Sequence, residues 1–444
     1  MQKDLTQGSI TKTLLLFAMP MIAGNLLQQF YNIADTLIVG RFLGAEALAA
    51  VGSSYTLMTF LTSILLGLSM GSGAVFSIYY GEKNEEKLKE SMAAAFWLIL
   101  GVALVLNVIV FLCIHPIMDF LQVPKEIYDM MKEYLWIVFW GIFASFLYNY
   151  FASLLRAVGN SVVPLMFLAV SAVLNIILDL WFVLGLKWGV AGAAAATVLS
   201  QYVSGIGIFL YSGIRLPYFH GIKKYIRPQW KMMKAIGQFS FLTCLQQSVM
   251  NLGILMVQGL VNSFGTVVMA AFAAAVKIDS FAYMPVQDFG NAFSTFVAQN
   301  YGAGKEDRIK KGIKKAVSLS VGFSLCISAV VFIFARPLMM IFIRPEETAI
   351  LNAGVEYLRI EGAFYCGIGC LFLLYGYYRA VKKPGMSLVL TIISLGTRVA
   401  LAYALSAIPQ IGVTGIWWSV PIGWGLADLA GFLYYKTLIC PNRE

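Results

Sequence analysis

The chain has 444 residues, of which 59% are hydrophobic and only 12% are charged, and its mean hydropathy is +0.78. A soluble domain of this composition would expose large apolar areas to water, so the composition excludes a soluble enzyme or binding module and indicates a protein that resides in lipid. The formal charge of +10 comes from lysines and arginines in short connections between apolar runs, which is typical of membrane topology and not of nucleic-acid binding.

Apolar runs long enough to cross a bilayer recur along the chain, separated by charged, glycine and proline residues. They predict an all-α integral membrane protein with twelve transmembrane helices in two pseudo-symmetric six-helix lobes. The first six helices are expected near residues 14–39, 47–80, 91–114, 133–156, 162–184 and 190–213. The second six are expected near residues 235–263, 267–300, 314–335, 354–379, 385–407 and 412–436. We expect the first helix to be retained, because no small-residue cleavage site accompanies it.

The two sets of helices are internal repeats. Residues 43–50 match residues 264–271 at a spacing of 221, and residues 189–192 match residues 412–415 at a spacing of 223. Because six helices is an even number, the two copies share one orientation in the membrane, as in parallel transporter repeats, with a cavity expected between them. The predicted organisation is an N-terminal lobe, a basic cytoplasmic linker and a C-terminal lobe, comprising residues 1–214, 215–234 and 235–444.

The distribution of basic residues predicts the orientation. Of the 32 lysines and arginines, 23 lie in the termini and connections on one side of the membrane and two lie within predicted spans. By the positive-inside rule, the basic side, with both termini, faces the cytoplasm, so we expect a multi-pass protein of the bacterial inner (cytoplasmic) membrane. Seven basic residues remain for the other side: Arg41, Lys125, Lys132, Lys187, Arg336, Arg344 and Arg359.

Two polar stripes carry acids in the first half. A charged side chain at the centre of a membrane helix costs about 2.5–3.5 kcal/mol, so each one is a candidate functional residue. Gln28, Asn32 and Asp35 share one face of the first helix, and Asn175 and Asp179 share one face of the fifth. If the two acids face each other, burial and mutual repulsion would favour uptake of a proton or a sodium ion. Alternatively, either acid hydrogen-bonds a neighbouring helix, or Asp35 lies at the headgroup boundary.

The second half does not repeat this pair. Met256 and Ala402 stand at the positions that match the two acids, and Arg398 stands at the position that matches Asn175. We therefore expect ion coupling in the first half alone. The charged residues of the second-half spans are interpreted first as buried ion pairs and second as ion-transport groups, without a role assigned to each. They are Lys277, Asp279, Asp288, Glu361, Arg398 and Asp428.

Aromatic and uncharged polar residues are candidates for a cavity that binds flat cationic molecules through stacking and cation–π attraction. Pro20 removes one backbone hydrogen bond from the first helix and is interpreted either as a hinge or as a static kink. The cavity candidates are Gln28, Tyr31, Asn32, Tyr148, Gln247 and Asn251.

The motifs of soluble chemistry are missing from the sequence. It contains no P-loop for ATP and no catalytic triad, and its two histidines lie near predicted loop boundaries. We therefore expect no enzyme activity, no cofactor and no metal other than a sodium ion at the two first-half acids. Any transport would draw on an ion gradient.

Several ordered motifs resemble those of the multidrug and toxic compound extrusion (MATE) family, over essentially the whole chain. They are Pro20, residues 32–36, 43–44 and 49–52, 156–160, 175–179, 189–192 with 196–197, and 299–303. The pattern is most similar to the bacterial branch grouped with the DNA-damage-inducible exporters. The resemblance implies an antiporter that exports cationic or amphipathic compounds by alternating access between two lobes while H⁺ or Na⁺ enters.

The resemblance also implies a set of site residues. In that branch the acids of the first and fifth helices and the adjacent asparagine form the cation site, which assigns this role to Asp35, Asn175 and Asp179. A threonine of the sixth helix joins the site in relatives, and Thr197 is the best match. Another branch places acids on the seventh and tenth helices, whereas this chain has glutamines in the seventh and Glu361 early in the tenth. This difference argues against a second-half cation site and leaves the coupling ion open.

Two other functions fit a chain of this class. A lipid-linked sugar flippase of the same wider superfamily would need a strongly cationic cavity for a pyrophosphate, whereas the cavity candidates here include Asp35 and Asp179. A passive channel or structural scaffold would need neither a buried acid nor a gradient. The partners that we expect are small cationic or amphipathic substrates and membrane lipids, without nucleic acid, for a chain that acts as a monomer.

Overall fold

The computed structural model describes residues 3–120, 123–225, 227 and 229–439. Positions 226 and 228 of the predicted linker and the two ends of the chain lie outside this description. Within the described residues the regular secondary structure is helical and includes no strand, which confirms the all-α membrane class. A helix satisfies its own backbone hydrogen bonds, so each apolar run can form a stable span in lipid.

The first repeat folds into eight α-helices. They are α1 (Ile10–Phe42), α2 (Ala45–Gly81), α3 (Glu85–Leu112), α4 (Ile114–Phe120), α5 (Lys125–Val138), α6 (Gly141–Ala157), α7 (Val162–Asp179) and α8 (Gly189–Arg215). A π-helical segment, Leu180–Gly185, continues α7, and two short 3₁₀ turns follow α8 at Pro217–Phe219 and Ile222–Tyr225.

The second repeat also folds into eight α-helices. They are α9 (Trp230–Asn262), α10 (Thr266–Gly302), α11 (Glu306–Ile333), α12 (Ala335–Met339), α13 (Thr348–Gly362), α14 (Tyr365–Ala380), α15 (Pro384–Ser406) and α16 (Val413–Ile439). The three long helices that open each repeat have matching lengths: 33 residues in α1 and α9, 37 in α2 and α10, and 28 in α3 and α11. Gly44 and Gly265, which precede α2 and α10, both have a φ of 93°, a backbone conformation that favours glycine.

The described helices supply up to eleven candidate spans. Nine helices are individually long and apolar enough to cross a membrane. Two bent pairs, α5 with α6 at 44° and α13 with α14 at 51°, each pass the same criteria together. The remaining long helix, α16, has 27 residues, which is the length of a twelfth span.

Both bent pairs depart from the prediction, which placed one uninterrupted helix at each position. The break between α5 and α6 frees backbone carbonyl groups that other helices satisfy. The side-chain amide of Asn107 donates to the carbonyl oxygen of Phe139 at 2.9 Å, and the hydroxyl of Tyr202 donates to that of Trp140 at 2.9 Å. A break in a membrane helix is stable where neighbouring side chains bond the freed groups, as they do here.

The chain folds into two compact units. The first contains the residues up to Leu5 together with Met19–Cys244, and the second contains Thr6–Ala18 together with the chain from Leu245 onward. The unit boundaries therefore fall inside α1 and α9, whereas the predicted lobes meet at the linker. Each of these two long helices contributes residues to both units.

The segment that precedes α1 is fixed by hydrogen bonds in each unit. In the first unit the backbone N–H of Lys3 donates to the carbonyl of Gly159 at 3.1 Å, and the side chain of Leu5 is fully buried. In the second unit the ammonium of Lys305 donates to the carbonyl of Thr6 at 2.8 Å. The guanidinium of Arg308 donates to the carbonyls of Gln7 and Gly8. The segment is thus part of the folded protein.

Candidate functional site

Two helices of the first unit bring the predicted acids together. Asp35 lies on α1 and is half-buried, and Asp179 is the last residue of α7 and is completely buried. The two carboxyl groups are neighbours, close enough to interact electrostatically.

The acids have an unusual shortage of hydrogen-bond donors. Among the described residues, no donor reaches Oδ1 of Asp35 or either carboxyl oxygen of Asp179. Buried carboxylates in proteins are normally paired with a cation or with several N–H groups, because an unpaired buried charge is costly. Three orphan oxygens at one place are therefore suited to bind a proton or a small hard cation, which prefers oxygen ligands.

Asn175 supplies a further oxygen to this place. It lies one turn before Asp179 on α7 and is 1% exposed. Its Nδ2 donates to the hydroxyl of Thr197 on α8 at 3.4 Å, which leaves its Oδ1 without a donor from the described residues. Ser171 lies on α7 two turns before Asp179. Its hydroxyl donates to the carbonyl of Ser200 at 3.0 Å and holds α7 against α8. We call Asp35, Asn175 and Asp179 the first-half acid site.

The backbone changes its geometry directly after the site. The π-helical segment Leu180–Gly185 begins at the residue that follows Asp179, and the N–H of Leu186 donates to the carbonyl of Trp181. π-helical turns are rare in proteins and occur frequently at functional sites, because the wider turn shifts the side chains that follow it. The segment therefore marks the end of α7 as a specialised position.

Tyr134 lies beside the first-half acid site and is not among the residues predicted from the sequence. It lies on α5, is 6% exposed, and is close enough to interact electrostatically with both Asp35 and Asp179. The predicted fourth helix begins at residue 133, which places Tyr134 at a helix end. The signal that could have identified it is the repeat, because a spacing of 223 matches Tyr134 with Tyr357.

A comparison with protein families now adds to this geometry. The family model described as MatE matches residues 20–181 and 240–404, which cover both repeats. The chain belongs to the MatE family. It is 31% identical to the probable multidrug resistance protein YpnP of Bacillus subtilis, over 98% of this chain and 96% of that protein. It is 26% identical to the probable multidrug resistance protein NorM of Thermotoga maritima, over 92% of this chain and 88% of that protein.

A solved structure shows the same fold. The outward-facing conformation of a multidrug resistance MATE family transporter of the MOP superfamily superposes with a TM-score of 0.92. The match covers 99% of this chain and 98% of that one at 23% sequence identity. This likeness confirms the predicted fold class, a MATE fold of twelve transmembrane helices in two six-helix lobes.

The cavity candidates of this MATE protein divide between the two units. In the first unit Tyr31 interacts with Gln28 and lies near Tyr55, and Asn32 donates to the Tyr55 hydroxyl at 3.4 Å. Tyr148 also lies near Tyr31, and its hydroxyl donates to a backbone carbonyl at 3.1 Å. The structure thus gathers three of the candidates, Gln28, Asn32 and Tyr148, around a fourth, Tyr31. The other two, Gln247 and Asn251, lie on α9 in the second unit.

Pro20 lies within a continuous helix in this MATE structure. α1 extends from Ile10 to Phe42 without interruption. The boundary between the two units falls between Ala18 and Met19, directly before Pro20. Pro20 therefore lies where the partners of α1 change from one unit to the other, and its role as a hinge stays a prediction.

Proposed function

We propose that the protein is a secondary active multidrug exporter, which expels cationic or amphipathic compounds by antiport with H⁺ or Na⁺ at the first-half acid site. One observation carries this proposal: Asp35 and Asp179 are adjacent carboxyls within the membrane, with three oxygens that no described donor reaches. Membership of the MatE family and the names of the relatives as multidrug resistance proteins support the same function.

Binding of an ion to the acid pair would strongly change the relative stability of two conformations of the protein. Two unit charges about 4 Å apart repel each other by about 4 kcal/mol at an effective dielectric constant of about 20. A bound proton or sodium ion removes this repulsion, so it can change a conformational equilibrium by about a thousandfold. The ion-bound and ion-free proteins would therefore favour different states, which is the requirement for alternating access.

Asn175 and Thr197 would position the ion in this scheme. Thr197 holds the amide of Asn175 by its nitrogen, so that the amide oxygen remains available as a ligand. A sodium ion would use this oxygen together with the carboxyl oxygens, whereas a proton would need only the two acids. We propose further that the protein acts as a monomer in the bacterial inner membrane, in contact with its lipids and with both termini in the cytoplasm.

The proposal is tested in liposomes that contain the full-length protein. Efflux of a fluorescent organic cation is followed under an imposed pH gradient or sodium gradient, for the native chain and for Asp35→Asn and Asp179→Asn. The matched control is Asp119→Asn, which removes an exposed acid of α4. We expect gradient-driven efflux to be lost in both site variants and kept in the control, and the gradient that drives the native chain identifies the ion. Normal efflux by either folded site variant would refute the proposal.

A further inference from the structure

The second unit contains a buried charge cluster of its own. Asp279 of α10 is 6% exposed and Glu361 of α13 is 1% exposed. The charge of Arg398 on α15 acts on both acids, and the acids also act on each other. The hydroxyl of Tyr357 donates to Oε2 of Glu361 at 2.9 Å. We call Asp279, Glu361 and Arg398 the second-half charge cluster.

The cluster is only partly satisfied by hydrogen bonds. Among the described residues, Oδ1 of Asp279, Oε1 of Glu361 and Nε of Arg398 have no hydrogen-bond partner. At these three atoms the two acids and the guanidinium therefore interact by charge and not by hydrogen bonds. Removal of one member of a buried charged group leaves the others uncompensated, which is strongly unfavourable. Without the guanidinium, the negative charges of both acids would be uncompensated.

Arg398 and Tyr357 stand at positions that match the first-half acid site and its neighbour Tyr134, whereas the two acids of the cluster come from positions that match Met58 and Val138. At the repeat spacing of 223 residues, Arg398 matches Asn175 and Tyr357 matches Tyr134. A guanidinium thus stands where the first half has an ion-ligating amide. The Cβ of Arg398 lies close to Gly423 of α16, where an added Cβ would be 3.4 Å away. The first half combines two acids with no fixed cation, and the second half combines two acids with one.

We propose that the guanidinium of Arg398 is a built-in cation, which stands at the second-half position of the ion-ligating amide and restricts ion binding to the first half. A neutral residue at this position would then convert Asp279 and Glu361 into a second site for a monovalent cation, either H⁺ or Na⁺. The inference goes beyond the proposed function and rests on it only for the assignment of the first-half site.

Other ionisable groups face the cluster from three of the surrounding helices. Tyr283 of α10, Tyr357 of α13 and Tyr365 of α14 interact with the acids. Elsewhere in the unit, Asp428 of α16 interacts with Cys370, and the ammonium of Lys277 lies 5.8 Å from the ring of Phe342. The tyrosines are neutral over the working range of pH, so Arg398 is the cation that balances the two acids.

The test measures thermal unfolding of the purified full-length protein in detergent. All chains carry Asp179→Asn, so that the first-half site gives no ion response of its own. Arg398→Asn copies the residue of the first half, Arg398→Lys keeps the charge, and Arg336→Asn removes an exposed arginine of α12 as the matched control. Each chain is compared in sodium chloride and choline chloride at equal ionic strength, and at acidic and alkaline pH.

We expect Arg398→Asn to gain about 2–4 °C in its unfolding midpoint from sodium, from acid or from both. Sodium alone would identify a sodium site, and acid alone would identify a proton site. Arg398→Lys and Arg336→Asn should respond as the background chain does. Should Arg398→Asn not fold, Arg398→Gln replaces it, and failure of both to fold even in sodium and acid overturns the proposal.

An Arg398→Asn chain that is less stable but responds to sodium and acid as the background chain does also overturns the inference. The readout is unfolding and not transport, so its outcome is separate from the outcome of the liposome experiment. The proposed function would be refuted by normal efflux in either first-half variant. This inference would be refuted by an unchanged ion response of Arg398→Asn.

Discussion

Asn175 and Thr197 make different contributions at the scale of single residues. The Oδ1 of Asn175 is buried and receives no bond from a described donor, whereas Thr197 only accepts a long bond of 3.4 Å from the amide nitrogen. The geometry therefore makes Asn175 a direct ligand in the proposed mechanism and Thr197 a residue that orients it. Both substitutions should weaken ion binding, but not equally.

We expect Asn175→Leu to raise the ion concentration for half-maximal transport by about tenfold or more, because a lost bond to a charged group costs about 1.5–3 kcal/mol. Thr197→Val, which keeps the shape of the side chain, should raise it by only about two- to fivefold, because the orienting bond is weak. The measurement is the dependence of efflux on pH and on sodium concentration. An equal effect of the two substitutions would contradict these separate roles.

The sequence indicated the three residues of the first-half acid site but not their neighbour Tyr134. Asp35, Asn175 and Asp179 were predictable because a polar group in an apolar run has few structural explanations, and their spacing fixes the face that they share. Tyr134 was not predictable in the same way. A buried tyrosine among apolar residues is common in any helix, and its proximity to the acids depends on how α5 packs against α1 and α7.

At the scale of helices, two glycines of α2 permit a close approach to α9. A Cβ on Gly67 would lie 2.5 Å from the Cα of Cys244, and one on Gly71 would lie 2.6 Å from the Cα of Ser240. The two glycines form a GxxxG motif, in which backbones approach each other directly. The hydroxyls of Ser72 and Ser240 meet at 2.9 Å beside this contact. All of these residues belong to the first unit.

We expect Gly67→Ala and Gly71→Ala to lower the yield of folded protein and its unfolding midpoint, because each methyl group would collide with backbone atoms of α9. Gly52 lies on the same helix with open space around it, so Gly52→Ala is the matched control. That control should be neutral or more stable by about 1 kcal/mol, since alanine favours a helix more than glycine does. Fluorescence-detected size exclusion and thermal unfolding measure both effects, and equal behaviour of all three variants would disprove the close contact.

The same scale shows why some helix breaks escaped prediction. Most ends of the long spans were predictable to within four residues, because apolar length and polar ends define a membrane helix. The exceptions are the starts of α9, α3 and α11, which lie five, six and eight residues before the predicted ones. The break between α5 and α6 depends on Asn107 and Tyr202, which belong to other helices and bond its freed carbonyls. The local sequence between residues 125 and 157 contains no proline. It therefore gives no indication of these bonds from distant helices.

For the molecule as a whole, the distribution of basic residues makes the orientation testable. The proposal places Lys310 on the cytoplasmic side and Arg344 on the outer side, and both side chains are exposed. In a chain without its native cysteines, Arg344→Cys should react with a membrane-impermeant maleimide in intact cells. Lys310→Cys should react only after permeabilisation, and it serves as the control for leakage. The opposite pattern would show that the positive-inside rule was applied wrongly to this chain.

The N-terminal segment also imposes an order of events during synthesis. Gly8 and Arg308 are joined by a hydrogen bond, although they are separated by 300 positions along the chain. A ribosome adds about 5–20 residues per second, so the segment leaves it about 15–60 s before its partner exists. α1 is made before the other described helices, yet its opening turns belong to a unit whose remaining residues begin at Leu245. The beginning of the chain therefore reaches its final place late in biogenesis, after most later helices have been made.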